Sequence, residues 1–348
     1  LNKLTFKTNK ISKYRVRDFI LSQNNLIFLS DLKGNLITFS LEENKIVQKF
    51  NFYKKKYKEI RKVLNFIVEK NIIYVADNLG YLYALNYETN KIEWAKNYKT
   101  PFRSNLKIVE NKLVTSTENN NLYFFDKMNG NIFKLIPTEE SIIQNEFVNN
   151  LSSNNKFTYF LNSYGSLYAI DNKSMVIKWF LNLNQAIDLN TSNLFDGGKI
   201  INFKDKIVIS SNNFTYIIDA NNGSIISKVN FSSVLNPIII NNYLFIISKN
   251  DLLIAFDLNK GDLIYSVDIN QNVADFLNNK KKKFFFKNIL MINDQIYIFL
   301  KNSYVLRFNV NGSLKEIVKL PTKILTNPIL INRSILYLDK KNKLSVIN

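Results

Sequence analysis

The chain has 348 residues, 46% of them hydrophobic, and 47 Lys and Arg against 28 Asp and Glu give it a net charge of +19. It has neither cysteine nor histidine, which excludes disulfides, thiolate metal sites, Cys nucleophiles and His-based acid–base or metal chemistry; catalysis would have to rest on carboxylates, Lys or Tyr. No apolar run reaches the length of a membrane-spanning helix.

In chain order, Leu1-Asn2-Lys3-Leu4-Thr5-Phe6-Lys7 alternates as a strand should, and then one phrase recurs eight times. It reads as an apolar strand, a turn of Asn, Gly or Ser, a second apolar strand closing on Asp, Asn or Ser, a further turn, and a third strand. The first copy carries Asp31-Leu32-Lys33-Gly34 as its turn and closes at Ser40. The basic run Lys54-Lys55-Lys56-Tyr57-Lys58, with Arg61-Lys62, precedes the second and clearest copy, Ile73-Tyr74-Val75-Ala76-Asp77-Asn78-Leu79-Gly80-Tyr81-Leu82-Tyr83-Ala84-Leu85-Asn86. Leu122-Tyr123-Phe124-Phe125-Asp126, Leu167-Tyr168-Ala169-Ile170-Asp171 and Leu253-Ile254-Ala255-Phe256-Asp257 are versions of the same strand, and the remaining copies close at Asp219, Asn309 and Asn348.

The seven intervals between closing residues run from 38 to 52 residues and average 44, the length of a four-stranded propeller blade. Ile-, Val-, Phe- and Tyr-rich alternation is strand chemistry, and no stretch reads as a long amphipathic helix. With 9 Gly and 55 Asn, Asn is expected to fill many tight turns that need positive φ. The eighth copy stops at Asn348 without an outermost strand, so the N-terminal segment is expected to supply it and close the ring. The fold class predicted is all-β: one eight-bladed propeller domain over residues 1–348, with four-stranded blades.

Gly80-Tyr81-Leu82-Tyr83-Ala84-Leu85-Asn86 with Thr89-Asn90-Lys91-Ile92-Glu93-Trp94, and Gly165-Ser166-Leu167-Tyr168-Ala169-Ile170-Asp171 with Lys178-Trp179, resemble the PQQ-type propeller repeat. Asn236-Pro237-Ile238-Ile239-Ile240 and Asn327-Pro328-Ile329-Leu330-Ile331 are similar to its inner strand; other copies replace the Trp around Phe133, Lys228 and Tyr265-Ser266. Within that class the length and the lack of cysteine resemble the outer-membrane assembly factors of the BamB family. The resemblance implies a non-catalytic scaffold that needs no cofactor and docks the periplasmic repeats of the barrel-inserting BamA protein. It also implies a periplasmic location, with a lipid tether on a residue upstream of Leu1. A PQQ-dependent quinoprotein oxidoreductase is the alternative from the enzyme class. A polyanion-binding propeller is a third reading, although nucleic acid is not the expected partner.

Two segments are candidates for contact with partners. Residues 181–198 separate the fourth and fifth copies without a strand phrase, and a loop at the equivalent place in BamB-like proteins contributes to the partner surface. Ile187, Leu189, Leu194 and Phe195 would form an apolar patch there with Asp188 and Asp196 as rim; the plain alternative is the buried inner strand of blade five. Lys280, Lys281, Lys282 and Lys283, followed by Phe284-Phe285-Phe286, suit an anionic membrane surface, against the plain reading of a solvated loop leading into a strand. The recurring Asp126, Asp171, Asp219 and Asp257 are expected to cap turns, and Trp94 and Trp179 to pack between blades. Glu42-Glu43 and Glu139-Glu140 are expected to be solvated, since neighbours on a strand face opposite ways.

Overall fold

The computed structural model describes residues 4–53, 57, 59–141, 148–184, 194–211 and 213–347, with side chains from residue 8 onward. Its strands form eight four-stranded antiparallel sheets arranged as the blades of a ring. Blades 1 to 7 span residues 16–51, 64–97, 107–136, 150–182, 201–229, 238–268 and 286–319, each using four consecutive strands. First strands touch one another between blades 1 and 2, 3 and 4, 4 and 5, and 6 and 7, so the first strand of a blade lies nearest the axis and the fourth lies on the perimeter.

Blade 8 closes the ring as expected. Its three inner strands are Ile329–Ile331, Ser334–Leu338 and Lys343–Ile347, and its outermost is Leu4–Lys10 from the other end of the chain. Leu4 pairs with Ile347 and Lys10 with Lys343. The seal continues past the strands, where the Asn342 side-chain amide donates to the carbonyls of Ser12 at 2.9 Å and Tyr14 at 2.7 Å.

The core is divided among the seams between blades. Each of eight buried apolar clusters draws on two consecutive blades, and the cluster of Ile20, Ile27, Leu29 and Ile37 with Leu336, Leu338 and Leu344 joins blade 8 to blade 1. Strand alternation produces this, since successive side chains point to opposite faces and each sheet has a blade on both sides. The second and third strands are therefore buried almost throughout, while the outer strands are mainly exposed. At about 1.5–3 kcal/mol for each fully buried large apolar side chain, many modest contributions at every seam hold the ring.

Asparagine carries many of the tight turns, although Lys70, Glu110 and Lys204 take the positive-φ position in blades 2, 3 and 5. Asn24-Asn25, Asn241-Asn242, Asn293-Asp294 and Asn332-Arg333 all have positive φ at both positions, the backbone of a two-residue hairpin that follows the strand twist. The turn between third and fourth strands is capped by the residue closing the third: Asp171 accepts from the Lys173 and Ser174 amides, and Asp219 and Asp257 repeat the pattern. Asp126 accepts from the Met128 amide in the same place, so the four carboxylates do structural work.

Trp94 and Trp179 lie on outer strands opposite the small residues Ala84 and Ala169. Each indole reaches the next blade, donating to the Lys127 carbonyl at 3.1 Å and the Ala220 carbonyl at 3.2 Å, and lies over Gly130 and Gly223 of the following turn. Tyr265 lies opposite Ala255 and over Gly312 in the same manner. The corresponding residues of blades 1, 3, 5 and 7 are Gln48, Lys134, Ser227 and Glu316, so aromatic docking marks alternate seams. One short helix was not foreseen. Helix α1 (Ile269–Phe276) joins blades 6 and 7, starts on an Asp268 side chain that accepts from the Gln271 amide, and buries Ile269, Val273 and Ala274. It occupies the longest of the intervals between copies.

Candidate interaction face and axial mouth

Because strands alternate in direction, the first–second and third–fourth turns lie on one face of the ring. The second–third turns and all blade-to-blade connectors lie on the other. The polar residue closing each second strand builds this second face. Asp77 accepts from the Leu79 and Tyr81 amides, both at 2.8 Å, and Asn162 does the same for Tyr164 and Ser166. Asp77 is fully buried, and its other oxygen receives the Tyr53 hydroxyl. Burial raises its pKa despite these donors, and burial beside Asp77 pushes the Tyr53 phenol far above its ordinary range.

Around the axis, polar side chains stitch several inner strands to the next blade. Asn105 and the Leu151 backbone bond reciprocally at 2.9 Å, Asn150 donates to the Gly197 carbonyl at 2.9 Å, and Asn288 donates to the Pro328 carbonyl at 3.0 Å. Asp18 binds the Lys287 ammonium and accepts from the Asn327 amide at 2.5 Å, bringing blades 1, 7 and 8 together. Here a polar cavity of about 380 Å³ opens, lined by Asp18, Asn236, Lys287, Asn288, Lys301 and Asn327 among others. Arg17 donates to the Leu64 carbonyl, and burial with the nearby Arg61 lowers its pKa to about 10. Burial, and then Lys199, likewise lower that of Lys107.

The candidate contact residues separate on this face. Leu194 and Phe195 are both buried, and Phe195 belongs to the cluster between blades 4 and 5. That corrects the expectation of an apolar patch at these two positions: the ring of Phe195 is core, lying beside Gly165 and Gly197. Asp196 is exposed, and Ile187, Asp188 and Leu189 lie outside the described residues. Lys280, Lys281, Lys282 and Lys283 are all exposed on the connector that follows α1, with Lys281 2.5 Å from Asp268. Of the three phenylalanines after them, Phe285 is exposed, Phe284 packs on the blade 6–7 cluster and Phe286 begins the inner strand of blade 7. The run is therefore part surface and part strand. In the other basic run, Lys54, Lys55, Lys56 and Lys58 lie outside the described residues, whereas Lys62 is buried against the Tyr53 ring. Glu139 is tied to Ser166 at 2.8 Å rather than simply solvated, and Glu43 pairs with Lys45 on the surface.

The axial residues escaped the sequence reading because they come from several blades. Their one local signal is the Asn that precedes the inner strand in Asn236-Pro237 and Asn327-Pro328. Among the described residues, no group of three or more Asp or Glu is placed to hold a metal ion, and no helix is long and apolar enough to cross a membrane.

Fold and repeat together define an eight-bladed propeller of the PQQ-like class. The family described as outer membrane protein assembly factor BamB matches residues 56–266, and the chain belongs to that family. Among solved structures it is similar to BamB from Moraxella catarrhalis, with a TM-score of 0.73 and 14% identity over 97% of this chain and 98% of that one. It is also similar to the computationally designed Ika8 protein, with a TM-score of 0.72 and 8% identity over 98% of both chains. Sqt1 of Saccharomyces cerevisiae gives a TM-score of 0.69 and 11% identity over 98% of this chain and 99% of that one. At these identities the likeness is one of fold. No curated protein sequence matches the chain.

Proposed function

We propose that this propeller is a non-catalytic scaffold of outer-membrane β-barrel assembly, docking the periplasmic repeats of a BamA-like barrel-insertion protein. Family membership over residues 56–266 carries the reading. Two surfaces support it. The connector face offers exposed Asp196, and the outer strand of blade 3 exposes Ile132, Phe133 and Leu135 along an edge that pairs with no other strand among the described residues. An apolar perimeter strand with free backbone groups is suited to sheet augmentation by a partner strand. In this reading the protein is periplasmic and tethered to the outer membrane by a lipid upstream of Leu1, with Lys280–Lys283 facing anionic headgroups.

The test is co-purification. The tagged protein, expressed with its signal and anchor regions, is expected to recover the barrel-insertion protein from solubilised envelopes. Phe133→Lys, on an exposed position, is expected to reduce recovery without lowering the melting temperature. Envelopes in which the tagged protein is abundant but brings down no such component would sink the proposal. Dye reduction that appears only after adding PQQ and calcium would favour the enzymatic alternative.

A further inference from the structure

The seam between blades 6 and 7 departs from its two sister seams in a way that leaves room. At the blade 2–3 and 4–5 seams an indole fills the space over the glycine turn and donates to the carbonyl directly after the capping residue, Lys127 after Asp126 and Ala220 after Asp219. At the blade 6–7 seam the cross-strand partner is again alanine, Ala255, which leaves the space an indole would use. The residue there is Tyr265, with one ring in place of two, and the turn it covers is one residue shorter: Gly312 follows Asn309 by three positions, whereas Gly130 and Gly223 follow their aspartates by four. The equivalent carbonyl, that of Val310, has no indole to receive.

Three observations then coincide. A cavity of about 420 Å³ opens beside Tyr265, walled by Phe245, Ala255, Met291 and Val310. This is the size class of small-ligand sites, and its lining is mainly apolar. The Tyr265 hydroxyl is buried with no hydrogen-bond partner, an orphan of the kind that folded proteins rarely keep. Burial pushes that phenol up to about 12, so it stays a neutral hydroxyl able to accept or donate. Tyr243 and Asp294 stand at the rim.

We propose that the blade 6–7 seam is a binding site for a planar heteroaromatic group bearing an N–H donor, of indole size. Its faces lie against Phe245 and Met291, and its N–H bonds the Val310 carbonyl. The ligand restores from outside the indole that the other two seams supply from within. Free indole and a tryptophan side chain of a polypeptide share this chemistry.

Saturation-transfer NMR on the intact protein with indole as probe is the test. Binding at millimolar concentration or below is expected, with intermolecular NOEs to the Tyr265 ring and the Met291 methyl. Naphthalene, which lacks the N–H, is expected to bind about tenfold more weakly, in line with one well-placed hydrogen bond. Tyr265→Trp is expected to abolish binding and raise the melting temperature, because the indole is then built in. Tyr265→Phe, which keeps the packing and removes only the enclosed hydroxyl, is expected to leave indole and naphthalene binding unchanged. N-acetyltryptophanamide competing as well as indole identifies a peptide side chain as the natural occupant; failure to compete while indole binds identifies a small heteroaromatic. No saturation transfer to indole, or transfer that survives Tyr265→Trp, overturns the proposal.

Discussion

Gly223 and Gly261 hold the same place in successive blades, with φ of 78° and 75°, yet they face different neighbours. A Cβ at Gly223 would lie 2.6 Å from the Trp179 ring, whereas one at Gly261 meets nothing within 4 Å, because blade 5 offers Ser227 instead of an aromatic. The two alanine substitutions therefore separate backbone strain from seam packing. Each incurs the left-handed penalty of about 1–2 kcal/mol. Only Gly223→Ala adds the overpacking cost of about 1–3 kcal/mol, since Trp179 is pinned by its bond to the Ala220 carbonyl and cannot swing aside. Urea denaturation followed by tryptophan fluorescence measures both, and the expected loss is about 2–5 kcal/mol for Gly223→Ala against about 1–2 kcal/mol for Gly261→Ala. Gly130→Ala, under Trp94, is expected to group with Gly223→Ala. Equal losses at all three positions would refute the idea that indole docking on alternate seams locks neighbouring blades.

Removing residues 1–10 leaves the Lys343–Ile347 strand as an open edge, so gel filtration is expected to show oligomers or aggregate where the full chain elutes as one species. Tyr53→Phe takes the hydroxyl from a buried Asp77 oxygen and is expected to cost about 1–3 kcal/mol in chemical denaturation. Asp77 has a folded-state pKa raised above 3.8, so the folded protein holds that proton more tightly than the unfolded chain. Its contribution is thus most favourable below 3.8 and is lost as pH climbs through the raised value. Asn in that place can still accept from the turn amides, as Asn162 does in blade 4. Asp77→Asn is therefore expected to gain stability relative to the parent between acid and neutral pH; a difference that stays flat across that range contradicts it. Replacing Lys280–Lys283 with Gln is expected to reduce sedimentation with anionic vesicles and leave neutral vesicles unaffected, the difference shrinking with salt.

The repeat was legible because every blade solves the same problem with the same residues: Asp or Asn after a strand, a residue tolerant of positive φ, then another strand. The closure was legible for the same reason, since a final copy lacking an outer strand needs one from elsewhere. Helix α1 was not, because Ile269–Phe276 is two turns long and rich in Asn and Gln, and what stabilises it is the Asp268 cap and burial of Val273 and Ala274. Leu194 and Phe195 show another limit: apolar residues in a loop of known position can face out or in, and the choice depends on Gly165 and Gly197 leaving space for the Phe195 ring. The axial mouth unites residues as far apart as Asp18 and Asn327, which no local pattern connects. The blade 6–7 vacancy becomes visible only when three seams are superimposed.

Calorimetric titration of the purified propeller with the isolated periplasmic repeats of a BamA-like protein from the same organism tests the scaffold reading most directly. A saturable one-to-one complex of micromolar or tighter affinity is expected, weakened by Phe133→Lys or Asp196→Arg. No heat and no complex, for a protein whose circular dichroism confirms an intact β-fold, would contradict it.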